Sequence, residues 1–201
     1  MIELLAITDD ATPPDPPVGA VRCGRLSVLW ASAAEGAVDA DTLWRREALL
    51  EQLMERCDLL PVRFGTLVAD ERAAREAIAP RCEELVRALE RVRGAVELSV
   101  RALGGEEPAR PAGEPSGREY LRDRAVRGRL ARELHAPLAG VARDSVIHEG
   151  PEILRGAYLV DRGEVDAFVT RFRQLQHERT DVAMICTGPW PPYSFTGESA
   201  A

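Results

Sequence analysis

Leu59–Thr66, LLPVRFGT, lies between two amphipathic helical patterns and is apolar up to Gly65 apart from Arg63. The run predicts a short strand, Leu59 to Phe64, that carries the chain from one helix to the next, with Gly65 at its end. Arg63 is the side chain in it that demands an account. Either it pairs with a buried carboxylate or backbone carbonyls, or it meets a partner.

Toward the N-terminus, MIELLAIT (Met1–Thr8) predicts a strand, and the proline-rich DDATPPDPPVG after it an exposed connection. LSVLWA, ending at Ala31, supplies a second strand, with Trp30 in the core or covering its end. Asp39 or Asp41 is placed to cap a helix that runs to about Cys57. Leu50, Leu53, Met54 and Cys57 form its apolar stripe. Beyond Gly65, a helical stretch beginning at Asp70 is divided by Pro80. Its second part buries Cys82, Leu85, Val86, Leu89 and Val92 before Gly94 stops it.

Ala95–Leu103 alternates Val96, Leu98 and Val100 with Glu97, Ser99 and Arg101, as a strand with one solvated face does. Residues 104–117, GGEEPARPAGEPSG, read as a flexible surface loop. A helix from about Arg118 to Ala139 follows, its apolar line running through Leu121, Ala125, Val126, Leu130 and Leu134. Strands over 141–148 and 154–160, a helix with Phe168, Phe172 and Leu175 inward, and a strand over Val182–Cys186 complete the pattern. The order from Ala95 is strand, helix, strand, strand, helix, strand, which is ferredoxin-like. The fold class is therefore α+β. It comprises an N-terminal α+β domain (1–94), a ferredoxin-like domain (95–187) containing the 104–117 loop, and a proline- and aromatic-rich tail (188–201).

The 201 residues carry 26 basic side chains, all arginine, against 33 acidic ones, a net charge of −7 that argues against a nucleic-acid partner. The local exception is the helix from Arg118, where Arg118, Arg122, Arg124, Arg127, Arg129 and Arg132 face only Glu119 and Asp123. That stretch is either a solvated face or a site for an acidic protein. No run approaches the roughly 18 apolar residues of a membrane span, and the start lacks a secretory pattern. A cytoplasmic protein without a lipid-membrane partner is expected.

Catalytic signatures are missing. His135, His148 and His177 stand apart without a metal-binding spacing, and Cys23, Cys57, Cys82 and Cys186 are scattered, Cys57 and Cys82 reading as buried thiols. Ser194 lacks a nucleophile elbow, and the FGT of Phe64–Thr66 has neither a dinucleotide nor a P-loop pattern. No catalytic, cofactor-binding or metal residue is assigned, no cofactor is expected, and the chain does not read as an enzyme. The C-terminal GPWPPYSF places Trp190, Tyr193 and Phe195 around Pro191 and Pro192. It reads as a clamp folded back across the domains or as a protein contact.

In LLPVRFGT, GAVELSVRAL, YLVDRGEVDAF and TGPWPPYSF the sequence closely resembles the GvpL/GvpF family of gas vesicle proteins, over almost the whole chain. Matching positions are Pro61, Arg63, Phe64, Gly65 and Thr66; Gly94 and Glu97; Tyr120 and Leu121; and Gly188 to Tyr193 with Phe195. Near Arg46, relatives often carry histidine, so no role of that histidine transfers. The resemblance implies a non-enzymatic accessory or minor structural component of the gas vesicle, in the cytoplasm. Its implied partners are the hydrophobic major shell protein and other accessory proteins. A general protein-binding adaptor or chaperone is the alternative. Arg63, Phe64, Gly65, Trp190, Pro191, Pro192, Tyr193 and Phe195, with Arg122 and Arg127 of the arginine-rich helix, are the candidate fold or interface determinants.

Overall fold

The computed structural model describes residues 1–9, 15, 17–33, 40–104 and 117–197, with side chains of the helix that begins at Gly117 described from Arg124 onward. The chain is α+β and divides into two compact units, Met1–Val96 with Trp190–Ala201, and Glu97–Pro189. The proposed cap Asp39, residues 105–116 of the low-complexity loop, and the side chains of Tyr120, Leu121 and Arg122 lie outside the described residues.

In the first unit β1 (Ile2–Thr8), β2 (Gly19–Cys23), β3 (Leu26–Ser32), β4 (Leu60–Pro61) and β5 (Leu67–Val68) form one sheet in the order β2-β3-β1-β4, with β5 also on β1. β1 is interior. Its Leu4, Leu5, Ala6 and Ile7 are consecutively buried, so both faces of the strand are covered. The helices are α1 (Ala40–Arg56), α2 (Glu71–Ile78) and α3 (Cys82–Val92), with Pro80 in a 3-10 turn between the last two. Asp70 caps α2 by accepting from the Ala73 amide at 2.9 Å.

Three predictions for this unit need correction. The connection read after Thr8 ends in a strand, β2, which forms a hairpin with β3 (Cys23 opposite Leu26). The two-residue turn between them has Gly24 at φ 61°. LLPVRFGT is not one strand through Phe64. Pro61 has no amide to extend the ladder, so β4 stops there. Val62 then donates to the Leu5 carbonyl at 2.8 Å, the chain turns over Arg63–Thr66 with Gly65 at φ 78°, and β5 resumes the sheet. Cys57 and Cys82 are half-buried rather than buried; Cys23 is the buried thiol.

From Ala95 the chain runs β6 (Ala95–Gly104), α4 (Gly117–Ala139), β7 (Asp144–Ile147), β8 (Leu154–Asp161), α5 (Val165–Glu178) and β9 (Val182–Trp190), and Glu97–Pro189 of these elements make the second unit. The sheet order β7-β8-β6-β9 is the ferredoxin-like arrangement, with the first and third strands of the unit side by side at its centre. Leu98, Val100 and Ala102 of β6, Leu134 and Leu138 of α4, Tyr158 of β8 and Phe168 and Phe172 of α5 make the core. The alternation read in β6 fails at Glu97, which is buried. The apolar line of α4 is displaced toward its C-terminus, because Ala125 and Val126 are exposed while Leu134 and Leu138 are enclosed. β9 continues past Cys186 to Trp190.

Candidate functional site

The stripe of α1 that faces the sheet contains Leu50, Leu53 and Met54, and one turn before Leu50 the same stripe is occupied by Arg46. Arg46 is 5% exposed. A buried guanidinium is tolerated only where its charge and its donors find partners. Nη1 lies 3.1 Å from the Tyr193 hydroxyl and 3.4 Å from Glu47 Oε1, and Nη2 donates to the Val62 carbonyl. Nε is 3.1 Å from Glu3 Oε1, close enough for an ion pair but without hydrogen-bond alignment. The Phe64 ring covers the guanidinium, its centroid 5.4 Å from Cζ.

Four segments distant in sequence are thus held by one side chain. Glu3 also receives the Gly65 amide at 3.0 Å, which fixes the turn that LLPVRFGT makes. The left-handed φ of Gly65 suits a residue without Cβ. Thr66 closes the same turn through its amide and hydroxyl, both donating to the Arg63 carbonyl at 3.2 and 2.7 Å. Arg63 itself is exposed, and its guanidinium makes no hydrogen bond or ion pair with a described residue. The pairing expected of Arg63 belongs to Arg46. The signal was present in the sequence, since counting back four residues from Leu50 places an arginine where the helical period calls for an apolar residue.

GPWPPYSF ends in the first unit. Pro191, Pro192 and Phe195 are buried, and Tyr193–Phe195 form a 3-10 turn rather than an extended stretch. The Tyr193 hydroxyl donates to Glu47 Oε1 at 3.0 Å. Burial, then the Glu47 carboxylate, push its pKa up to about 12. Arg91 lies over the Phe195 ring at 5.9 Å. Trp190 is half-buried. The contacts of Tyr193 and Phe195 with Arg46, Glu47 and Arg91 lie within the first unit.

In the second unit, His135 Nδ1 is 3.1 Å from the Tyr158 hydroxyl, and Tyr158 packs on Phe168 with ring centroids 5.2 Å apart. Burial lowers the His135 pKa, raises that of Tyr158 and pushes the Cys186 thiol up to about 11. All three are driven toward their neutral forms, whereas activating a thiol or phenol nucleophile requires the opposite shift. Among the described residues no group of His, Cys, Asp and Glu is arranged to hold a metal ion. On α4, Arg124 through Arg127 are all exposed, so a full turn stands clear of the core. No helix among the described residues is long and apolar enough to cross a membrane.

The arrangement is therefore a cluster of contacts around Arg46, with Phe64, Gly65 and Tyr193 as parts of it and Arg63 and Arg127 on the surface. Comparison with known proteins agrees with the overall fold. Two crystal structures of gas vesicle protein GvpF, from Microcystis aeruginosa and from an Anabaena species, superpose with TM-scores of 0.78 and 0.81 at 17% identity. Each alignment covers 98% of this chain, and 99% and 96% of the respective GvpF chains. Gas vesicle protein L of a Streptomyces strain is 34% identical over 79% of this chain and 70% of its own length. Gas vesicle protein F1 of Halobacterium salinarum is 26% identical over 70% of this chain and 61% of its own length. Residues 7–197 match the family described as gas vesicle synthesis protein GvpL/GvpF, and the chain belongs to that family.

Proposed function

We propose that this chain is a non-enzymatic accessory or minor structural protein of gas vesicle formation that binds the major shell protein and other accessory proteins. The observation that carries the reading is the family match, which spans both units. The physical logic is that a hydrophobic shell subunit needs temporary burial before its own lateral contacts form, and a rigid carrier surface supplies it. The Arg46 cluster gives the first unit that rigidity. The protein acts in the cytoplasm and at the vesicle.

Co-expression with the major shell protein of its own gene cluster, followed by co-purification at low and moderate salt, tests the reading. Selective, salt-tolerant capture is expected. Equal capture of unrelated hydrophobic proteins would replace it with a general chaperone, and no capture would remove shell binding from the function.

A second contact rests on the exposed turn of α4, where Arg124 and Arg127 face solvent. This turn steers an acidic accessory protein, an attraction that salt screens over about 10 Å. Replacing both arginines with serine lowers the association rate for such a partner at low salt and leaves shell capture unchanged.

A further inference from the structure

By its backbone α4 is a single helix, Gly117–Ala139, but the contacts that hold it lie in one half. Leu134 and Leu138 are fully enclosed in the core of the second unit, and Leu130 packs against that core. The Glu133 carboxylate accepts from Arg179 Nη1 at 3.1 Å, and His135 Nδ1 lies 3.1 Å from the Tyr158 hydroxyl. All of these α4 residues follow Gly128. Before it, Arg124, Ala125, Val126 and Arg127 are exposed in succession. Four consecutive positions go once round a helix, so no side of that turn is buried.

Gly128 stands at the junction, inside the helix. A helical glycine is required where another element comes too close for a side chain, and that reason is absent here: a Cβ on Gly128 would meet nothing within 4 Å among the described residues. What remains is the weakening. Glycine in place of alanine shifts the local helix equilibrium about fivefold toward the open form. A helical stretch shorter than roughly 12–15 residues is marginal in water unless packing supports it, and the stretch from Gly117 to Arg127 falls below that length.

We infer that Gly128 is a hinge dividing α4 into a packed half, 129–139, and an arm, 117–127, that unwinds and reforms independently of the core of the second unit. The inference goes beyond the arginine contact proposed above and does not depend on it. Its consequence there is that the surface exists in two forms. Only the helical form sets Arg124 and Arg127 three residues apart on one side. A partner that reads this form must supply the free energy of ordering the arm, and Gly128 helps to set how much.

The test is amide hydrogen exchange, followed by NMR on the full chain, for the parent, Gly128→Ala and Ala125→Gly. In the parent, the amides of 124–127 are expected to exchange orders of magnitude faster than those of Leu134 and Leu138. Gly128→Ala is expected to slow 124–127 about fivefold and Ala125→Gly to speed them by a similar factor, both leaving Leu134, Leu138 and the melting temperature unchanged. Protection of 124–127 equal to that of Leu134 would mean that α4 opens in one piece, which overturns the inference. So would either variant in which Leu134 and Leu138 change together with 124–127. A Gly128→Ala variant that leaves 124–127 unaltered overturns the hinge.

Discussion

The Tyr193 hydroxyl donates to Glu47 at 3.0 Å while accepting from Arg46 at 3.1 Å, so one phenol bridges both members of an ion pair on α1. Removing that oxygen leaves the pair in place and its environment less polar. Tyr193→Phe is expected to destabilise the protein by about 1 kcal/mol, the net worth of a hydrogen bond, as a lower urea midpoint with an unchanged slope. A midpoint equal to that of the parent would mean the tail contributes nothing through this contact.

Arg46 and Arg63 are expected to behave in opposite ways. Arg46→Ala strips Glu3 and Glu47 of their counter-ion and the Val62 carbonyl of its donor, at a cost of about 3–5 kcal/mol. Arg63→Ala leaves the urea midpoint where it was, since its side chain is exposed. Equal losses for the two would contradict the geometry.

Alkaline pH tests the burial of Tyr193 directly. Its pKa rises from the ordinary 10.0 to about 12, so the folded state holds a proton that the unfolded chain has released. The stabilisation this supplies is complete below about pH 10 and disappears as pH climbs through about 12. The stability gap between the parent and Tyr193→Phe should therefore close over that window, with phenolate absorbance following the same titration. His135 acts on the acid side. Its lowered pKa means that stability is full above the ordinary value of 6.5 and declines as pH falls through the folded one.

Two glycines are expected to resist alanine for different reasons. A Cβ on Gly19 would fall 2.3 Å from Cζ2 of Trp30, so Gly19→Ala must displace the indole, at about 1–3 kcal/mol. Gly65 has open space around it but φ 78°, and Gly65→Ala costs about 1 kcal/mol through backbone strain alone. Thermal melts separate them if Gly19→Ala also shifts the tryptophan emission and Gly65→Ala does not.

The helices and the ferredoxin-like order were legible because period and punctuation agree there, as with Asp70 capping α2 and Gly94 ending the segment after α3. β2 was missed because the prolines before it dominate the local composition, although the glycine in RCGRL was the sign of a tight hairpin. Arg63 drew attention as the lone charge in an apolar run. Burial, however, is decided by which residues meet across the fold, and nothing local to LLPVRFGT reveals that Arg46 approaches it from α1. The fate of GPWPPYSF was equally non-local. Its aromatics announce burial, but Arg46, Glu47 and Arg91 as their neighbours are fixed only by the tertiary arrangement.

The membership of Trp190 and the residues after it in the first unit sets an order of events during synthesis. The ribosome delivers Met1–Val96 first, yet the tyrosine that bridges Arg46 and Glu47 and the phenylalanine beneath Arg91 emerge only after all of Glu97–Pro189 has been made. A nascent chain can thus complete its later-made unit while the earlier one still waits for its last residues. A product that stops before Tyr193 therefore lacks the hydroxyl that bridges Arg46 and Glu47, and its α1 is held by fewer contacts.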